Sequence, residues 1–420
     1  MKLEPLLFMV HRIPYPPNKG DKIRSFNMLR WLSKHYEVHL GCFIDTPEDK
    51  QYIDELQKYC ASYKVVELKP LQAKIKSLAS FIDGSPITLT YFSSKELASW
   101  VKQVVDKQSI QRALMFSSSM GPYLEDETYS KLLRVLDLVD VDSDKWHQYA
   151  QKANFPMSWI YHRESVKLGA YEKKLTQQYD SIALVSEKEA ELFRSMVPDD
   201  LKNKVHAVTN GVDSEYFSPE SAFQNISLPA KTVVFTGAMD YWANEEAVVW
   251  FCKKVWPEVL KIHPDACFYI VGTNPNPGVL ALNNGSSVVV TGRVEDVRPY
   301  LDGSAAVVAP LRIARGIQNK VLEALSIGKV VVGTTMAFEG IEVEGQELDV
   351  LVADDAIDFG NKLANQLTIA TEVKAPTLSQ KNRKFVTDYY NWDAKLDNLT
   401  PLLEGGSASC SNNKMEMNAL

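Results

Sequence analysis

The chain has 420 residues, 45% of them hydrophobic, which is enough apolar material for two buried cores, and two domains are expected. A formal net charge of -7 excludes a binder whose affinity rests on neutralising nucleic-acid phosphates. Five cysteines, Cys42, Cys60, Cys252, Cys267 and Cys410, form no CxxC pair; they suit a reducing cytoplasm better than a disulfide framework or a thiolate zinc site.

Residues 6–10 read as a buried first strand. With Glu4 and Pro5 before it, the run is too short for a signal peptide, and no stretch approaches the roughly 20 apolar residues of a bilayer span, so a soluble or at most peripheral protein is expected. A turn-rich loop over 14–20 then leads into a helix over 21–35. Strands over 38–43 and 63–68 flank a helix over 48–60. A helix over 97–105, strands over 113–117, within 131–139 and over 181–185, and a last one over 205–208 complete the first half. The pattern restarts with a strand over 233–237, a helix over 245–255 capped by Asn244, and strands over 267–271, 288–291, 305–309 and 330–333. Such alternation predicts an α/β fold with two mostly parallel, Rossmann-like sheets covered by helices and facing each other across a cleft. Ligands of open sheets bind outside the carboxyl ends of the strands, which predicts a site in that cleft.

The stretch 309–334 joins a strand end, a basic glycine loop, a helix over 320–327 stopped by Gly328, and a second strand. Exposed amides at the helix start, with Arg312, Arg315 and Lys320 around them, suit a phosphate group. Glu323, one turn in, is placed to accept hydrogen bonds from a sugar diol. Phosphate plus diol means a nucleotide or a nucleotide-sugar. The alternative is a set of solvated loop charges with a helix-favouring glutamate.

The run from Thr209 to Pro219, TNGVDSEYFSP, resembles the hinge signature of GT-B glycosyltransferases of family 4, the glycosyl transferases group 1. FTGAMD from Phe235, IVG from Ile270, TGRV from Thr291 and the loop and helix from Arg315 to Glu323 extend the resemblance over the second half. HRIPYPPNKGDKIR from His11 and DVDSDKW from Asp140 are similar to a narrower branch, the sugar transferases associated with bacterial exopolysaccharide and exosortase/PEP-CTERM gene clusters. The resemblance covers about residues 1–404. It implies a GT-B architecture with an N-terminal Rossmann-like acceptor domain over 1–217 and a C-terminal nucleotide-sugar donor domain over 218–385. A helix over 386–404 returns toward the first domain, and a small-residue tail over 405–420 is expected to be disordered.

It also implies retaining transfer of a sugar from a UDP- or GDP-linked donor to a hydroxyl acceptor, without a metal or other cofactor. The acceptor implied is a glycan or lipid-linked glycan at the cytoplasmic face of a bacterial membrane. Gly316 and the following amides, Arg315 and Lys320 would stabilise the leaving diphosphate, and Glu323 would hold the ribose. Gly237 would admit the donor, and Arg293 and Val294 lie where the family binds the base. Two departures stand out. Arg315 occupies the position eight before Glu323, where the family carries a glutamate that touches the transferred sugar. Met239 and Ala243 or Asn244 replace the family's Arg and Lys after the Gly237 strand. We expect the diphosphate-binding cations to have moved to Arg312, Arg315 and Lys320.

In the first half, Gly20 permits close approach and Arg24 is a candidate for the donor diphosphate or an acceptor phosphate; the alternative is an ordinary strand-to-helix turn. Asp140 and Asp142 are candidates to orient the acceptor hydroxyl or take its proton, against a solvated acidic turn. A calcium loop fails, because Lys145 and Gln151 stand where glycine and glutamate are required. A metal-binding DxD of the GT-A kind conflicts with the second Rossmann-like half. The segment 68–82, with Lys69, Lys74 and Lys76, either rests on an anionic membrane or packs as a helix on its own sheet. No HExxH is present, and no metal site is expected. No GxGxxG follows a strand, and Gly328-Lys329 lacks the rest of a P-loop. Two competing functions remain on the same fold, an inactive nucleotide-sugar-binding protein and a nucleotide-sugar epimerase.

Overall fold

The computed structural model describes residues 3–17, 20–224, 226–314, 317–341, 346–372 and 378–406. The expected disordered tail falls almost wholly outside them. Packing divides the chain into two compact units, Met1–Asn210 with Leu396–Leu420, and Gly211–Lys395.

Among the described residues the first unit holds a seven-stranded sheet in the order β3-β2-β1-β4-β5-β6-β7. Its strands are β1 Glu4–Val10, β2 Tyr36–Ile44, β3 Ser62–Glu67, β4 Arg112–Phe116, β5 Leu133–Val139, β6 Ser181–Leu184 and β7 Val205–Ala207. All pairs are parallel. Central β1 reads LLFMV without alternation because helices cover both faces, and Leu6 to Val10 are all buried. The second unit holds six parallel strands in the order β10-β9-β8-β11-β12-β13. These are β8 Thr232–Thr236, β9 Cys267–Val271, β10 Val288–Gly292, β11 Ala306–Ala309, β12 Val331–Gly333 and β13 Val350–Val352. Strand order reverses between β1 and β4, and again between β8 and β11. Each reversal opens a crevice at the strand carboxyl ends, the usual ligand position in open α/β sheets.

The helices that position functional side chains are α1 Gly20–His35, α2 Pro70–Ser77, α3 Ser80–Asp83, α4 Lys95–Lys107, α5 Asp142–Lys152, α6 Met157–Gln178 and α7 Glu187–Met196. The second unit supplies α8 Trp242–Trp250, α9 Asn319–Ile327, α10 Ala356–Glu372 and α11 Gln380–Tyr389. Helix α9 stops where the sequence places its end, because Gly328 takes a left-handed conformation at φ 85° and its N–H closes on the Leu325 carbonyl.

Four local expectations are corrected. Residues 47–58 form a 3-10 helix, which Pro47 starts and which buries only Asp49 and Leu56. Asn244 does not cap a helix at 245, because the helix begins three residues earlier behind Tyr241 and turns π-helical over Phe251–Val255. Residues 386–404 are not one helix. After α11 the chain runs through short turns, Trp392–Leu396, Asp397–Leu399 and Thr400–Leu403. Residues from Leu396 onward belong to the first unit, where Trp31 Nε1 donates to Asp397 Oδ1 at 2.9 Å. Finally, residues 68–82 are not one helix whose apolar side packs on the sheet: α2 and α3 bury small residues and leave the large ones in solvent.

Candidate active site

In the second unit the crevice between β8 and β11 is lined by Gly237, which follows β8, and by α9, which follows β11. Gly237 and Gly272 end neighbouring strands with their backbones in contact; a Cβ on Gly272 would lie 1.7 Å from the Gly237 carbonyl oxygen. A Cβ on Gly237 would come within 2.7 Å of Asn244 Nδ2 and 3.4 Å of Lys320 Nζ. The absent side chain is therefore what brings α8 and α9 together over the strand end.

Lys320, in the first turn of α9, donates to Asn244 Oδ1 and lies 4.5 Å over the Phe235 ring. Asn244 Nδ2 in turn donates to the Ala238 carbonyl at 2.9 Å, which fixes the amide and so the lysine. Lys320 and Glu323 lie in a recess, crowded by protein yet touching solvent. Burial brings the Lys320 ammonium down to about 8, against the attraction of Glu323. Burial pushes the Glu323 carboxyl up to about 7, against the attraction of Lys320. A cation at a helix start beside a carboxylate one turn on is the arrangement a phosphate and a diol need.

The other candidates of this unit divide. Arg312 is exposed, pairs with Glu246 Oε1 at 3.2 Å and lies 5.6 Å over Trp250. Arg293 is exposed, and Val294 is partly buried against the hydrophobic core of this unit. Arg315 and Gly316 lie outside the described residues. Of the three cations expected to replace the family's pair, the structure brings Lys320 to the Gly237 turn and gives Arg312 to Glu246.

In the first unit the carboxyl ends of β1, β4 and β5 carry His11, Ser117 and Asp140. Val139 sits at φ 69°, an uncommon conformation for a β-branched residue, held because its N–H donates to Asp137 Oδ1 at 2.8 Å and its carbonyl accepts from Val185 N at 2.7 Å. That turn sends the chain into α5. Lys145 Nζ lies 2.7 Å from Asp140 Oδ2 and 3.5 Å from Asp142 Oδ1, so both carboxylates share one ammonium. Burial raises the Asp142 pKa, with Lys145 opposing and Asp140 adding to it.

The start of α5 has no side-chain cap of its own. Two buried carboxylates serve instead: Glu189 of α7 accepts from Val141 N at 3.0 Å, and Glu172 of α6 lies 3.4 Å from Ser143 N and 2.5 Å from Ser143 Oγ. Burial pushes Glu172 up to about 8, with Asp142 adding to the effect and Ser143 opposing it. The folded chain thus keeps a proton on Glu172 up to about pH 8, whereas the unfolded chain releases it near 4.5, so this group's contribution to stability falls as the pH rises between the two. Glu172→Gln is expected to remove that slope, so that the variant gains on the parent between about pH 5 and about pH 8 in urea unfolding. Parallel stability curves would show that Glu172 is charged in the folded protein.

Gly20 opens α1, and a Cβ there would meet nothing within 4 Å. Arg24 is corrected. It is 1% exposed, its Nη2 and Nε donate to Asp137 Oδ2 at 2.6 and 3.1 Å, and its Nη1 donates to Asn210 Oδ1 at 2.8 Å. A guanidinium so enclosed is not available to a phosphate. The sequence reading missed His11, whose Nε2 is 3.4 Å from Asp21 Oδ2 and whose ring stacks on Phe116. It also missed Asp21 itself; burial would raise it, but His11 and Arg12 hold it well below the carboxylate range. The position of both beside the first strand was visible, but their pairing depends on how α1 folds back.

Residues 230–368 match the family described as glycosyl transferases group 1. The match marks the chain as a glycosyltransferase. A Klebsiella pneumoniae relative, an uncharacterised 44.6 kDa protein in the cps region, is 24% identical over 363 residues, which is 84% of this chain and 88% of that protein. Among solved structures, a sucrose-phosphate synthase from Thermosynechococcus elongatus is similar with a TM-score of 0.62 and 17% identity, over 96% of this chain and 98% of that one. Anabaena Alr3699/HepE, solved with UDP-glucose, is similar with a TM-score of 0.59 and 12% identity, over 95% and 99%. These likenesses establish the GT-B fold of this glycosyltransferase. Among its described residues no helix is long and apolar enough to cross a membrane.

Proposed function

We propose that the glycosyltransferase moves a sugar, with retention, from a UDP-linked donor to a lipid-linked glycan at the cytoplasmic face of a bacterial membrane, in capsule or exopolysaccharide synthesis. The narrower assignment to exosortase/PEP-CTERM systems rests on the motifs at 11–24 and 140–146. UDP is favoured over GDP because Alr3699/HepE was solved with UDP and with UDP-glucose. The cps-region relative supports the polysaccharide setting.

The observation that carries the reading is the recess of Gly237, Asn244, Lys320 and Glu323. Glu323 accepts hydrogen bonds from the ribose diol. As the bond from the sugar's anomeric carbon to the diphosphate breaks, Lys320 and the α9 amides take up the charge on the leaving oxygen, so the reaction is metal-independent. The acceptor oxygen bonds to the same face of the sugar, and its proton passes to Asp142 or to the leaving diphosphate. Asp140 and Lys145 position Asp142. The 1–217 acceptor and 218–385 donor assignments follow from this division of labour.

Metal-free calorimetry with UDP, GDP and their sugar conjugates tests the reading. Tight binding of UDP that weakens about 10–100-fold in Glu323→Ala is expected, the loss of hydrogen bonds to a charged acceptor. In the parent the affinity should also fall as the pH is lowered through about 7, where Glu323 takes up a proton. Preference for GDP would change the donor. Binding without transfer to any acceptor would make the chain a nucleotide-sugar-binding protein, and turnover without acceptor an epimerase.

A further inference from the structure

The two helices after β3 are amphipathic the wrong way round for folding. Ala73, Ser77 and Ser80 point inward at 7%, 6% and 0% exposure, while Leu71, Ile75, Leu78 and Ile82 stand in solvent at 73%, 61%, 60% and 92%. Leu78 and Ala79 keep right-handed helical dihedrals across the turn between α2 and α3, so the spacing of those four, at i, i+4, i+7 and i+11, places them along one apolar stripe. Burial in the protein core does not explain it, because the small residues occupy the core side. Helix α3 is held in place from behind: the Arg163 guanidinium donates to the Ser80 carbonyl, donates to the Ser85 carbonyl at 3.2 Å and lies 4.7 Å over Phe81. Phe81 stacks on Trp159 of α6 with ring centroids 6.0 Å apart. Trp159 is half exposed, and Phe155, four residues before it, is 83% exposed, so the apolar surface continues across the start of α6.

Three lysines stand beside this surface in a chain whose net charge is -7, with one exposed carboxylate, Asp83 at the end of α3, which accepts from Ser85 N at 2.8 Å and from Ser85 Oγ at 2.6 Å. Lys69, Lys74 and Lys76 border the stripe and are exposed, and Lys76 Nζ donates to the Ser93 carbonyl at 2.8 Å. The nearby carboxylate Glu164 is turned inward and accepts from the Ile87 and Thr88 amides at 2.7 and 2.9 Å.

We infer that α2, α3 and the start of α6 form a docking surface for an anionic phospholipid bilayer, with Leu71, Ile75, Leu78 and Ile82 entering the acyl boundary and Lys69 and Lys74 reaching the headgroups. An exposed apolar stripe flanked by flexible cations, with a tryptophan at its edge, is the pattern of an interfacial anchor. A second copy of the chain fits less well, because a two-fold contact would set the same lysines against one another. The inference deepens the lipid-linked acceptor reading, on which it rests for its purpose, since an acceptor embedded in a bilayer is met only by an enzyme held at its surface.

The test is flotation of the purified full chain with vesicles of phosphatidylcholine containing about a third phosphatidylglycerol, compared with phosphatidylcholine alone. The same samples are titrated with UDP. The expected result is flotation with the anionic vesicles, weakened by salt, and a bound fraction lower by roughly tenfold or more in Ile75→Glu/Ile82→Glu, with the thermal melt unchanged. Both positions are exposed, so folding is not at stake. Absence of flotation, or equal flotation of the variant, overturns the inference. So does a concentration-dependent dimer that the variant abolishes, which assigns the stripe to a second copy. UDP binding without flotation defeats the docking surface alone, and flotation without nucleotide binding defeats the donor reading alone.

Discussion

Lys320→Ala is expected to lower the rate of sugar transfer by about 10²–10³-fold, the loss seen when one preorganised donor is removed from a developing negative charge. Two features of the site set that size. The ammonium is held by Asn244 and by the Phe235 ring, so it needs no reorganisation when the leaving diphosphate appears. It also sits in a recess that already weakens its hold on its own proton, to about 8, so water screens it little. The loss should fall mainly on kcat, because the charge Lys320 meets grows only as the bond breaks. A second effect separates this role from simple damage. Lys320 is the cation that restrains the Glu323 pKa, and without it Glu323 rises further above about 7. The variant's UDP affinity should then reach its plateau at a higher pH than the parent's. Unchanged kcat with an unshifted pH profile would remove Lys320 from the donor site.

The sequence made the second unit legible for a physical reason. Its site is local: Lys320 and Glu323 share one helix, and Gly328 announces where that helix stops. The strands were equally readable, since parallel strands covered on both faces appear as plain apolar runs such as LLFMV and TVVFT. What stayed hidden depends on tertiary contact. Asn244 looks like a helix cap by residue type, but Tyr241 starts the helix and Asn244 turns to Lys320. Arg312 is basic and beside the loop, but Glu246 from α8 takes it. Glu172 reads as an unremarkable polar position in a long helix, and only the packing of α6 under α5 makes it a buried cap for Ser143. Arg24 misled most, because a basic residue after a glycine turn has the composition of an anion site whether it points outward or inward.

The inward position of Arg24 carries the largest expected effect on stability. Arg24→Met should destabilise the chain by about 3–5 kcal/mol at neutral pH, because it leaves the Asp137 carboxylate buried without its partner. Burial already holds the Asp137 pKa above its ordinary 3.8 with Arg24 in place. Without the guanidinium it moves higher, and the folded variant then binds a proton that the unfolded chain releases near 3.8. Its stability is therefore fullest below that value and is lost as the pH rises toward the folded pKa, so the gap from the parent should narrow on acidification. Arg24→Met/Asp137→Asn separates the charge from the shape. The asparagine keeps an acceptor for Val139 N, which holds the φ 69° turn ahead of Asp140, and it carries no charge to strand. The double variant should regain most of the lost stability. If it is no more stable than Arg24→Met in urea unfolding, packing around the arginine stem, and not the unpaired charge, accounts for the loss. Recovery of stability without recovery of transfer would show in turn that the ion pair sets the loop carrying Asp140 and Asp142, and that the geometry of this turn matters to the reaction beyond its contribution to folding.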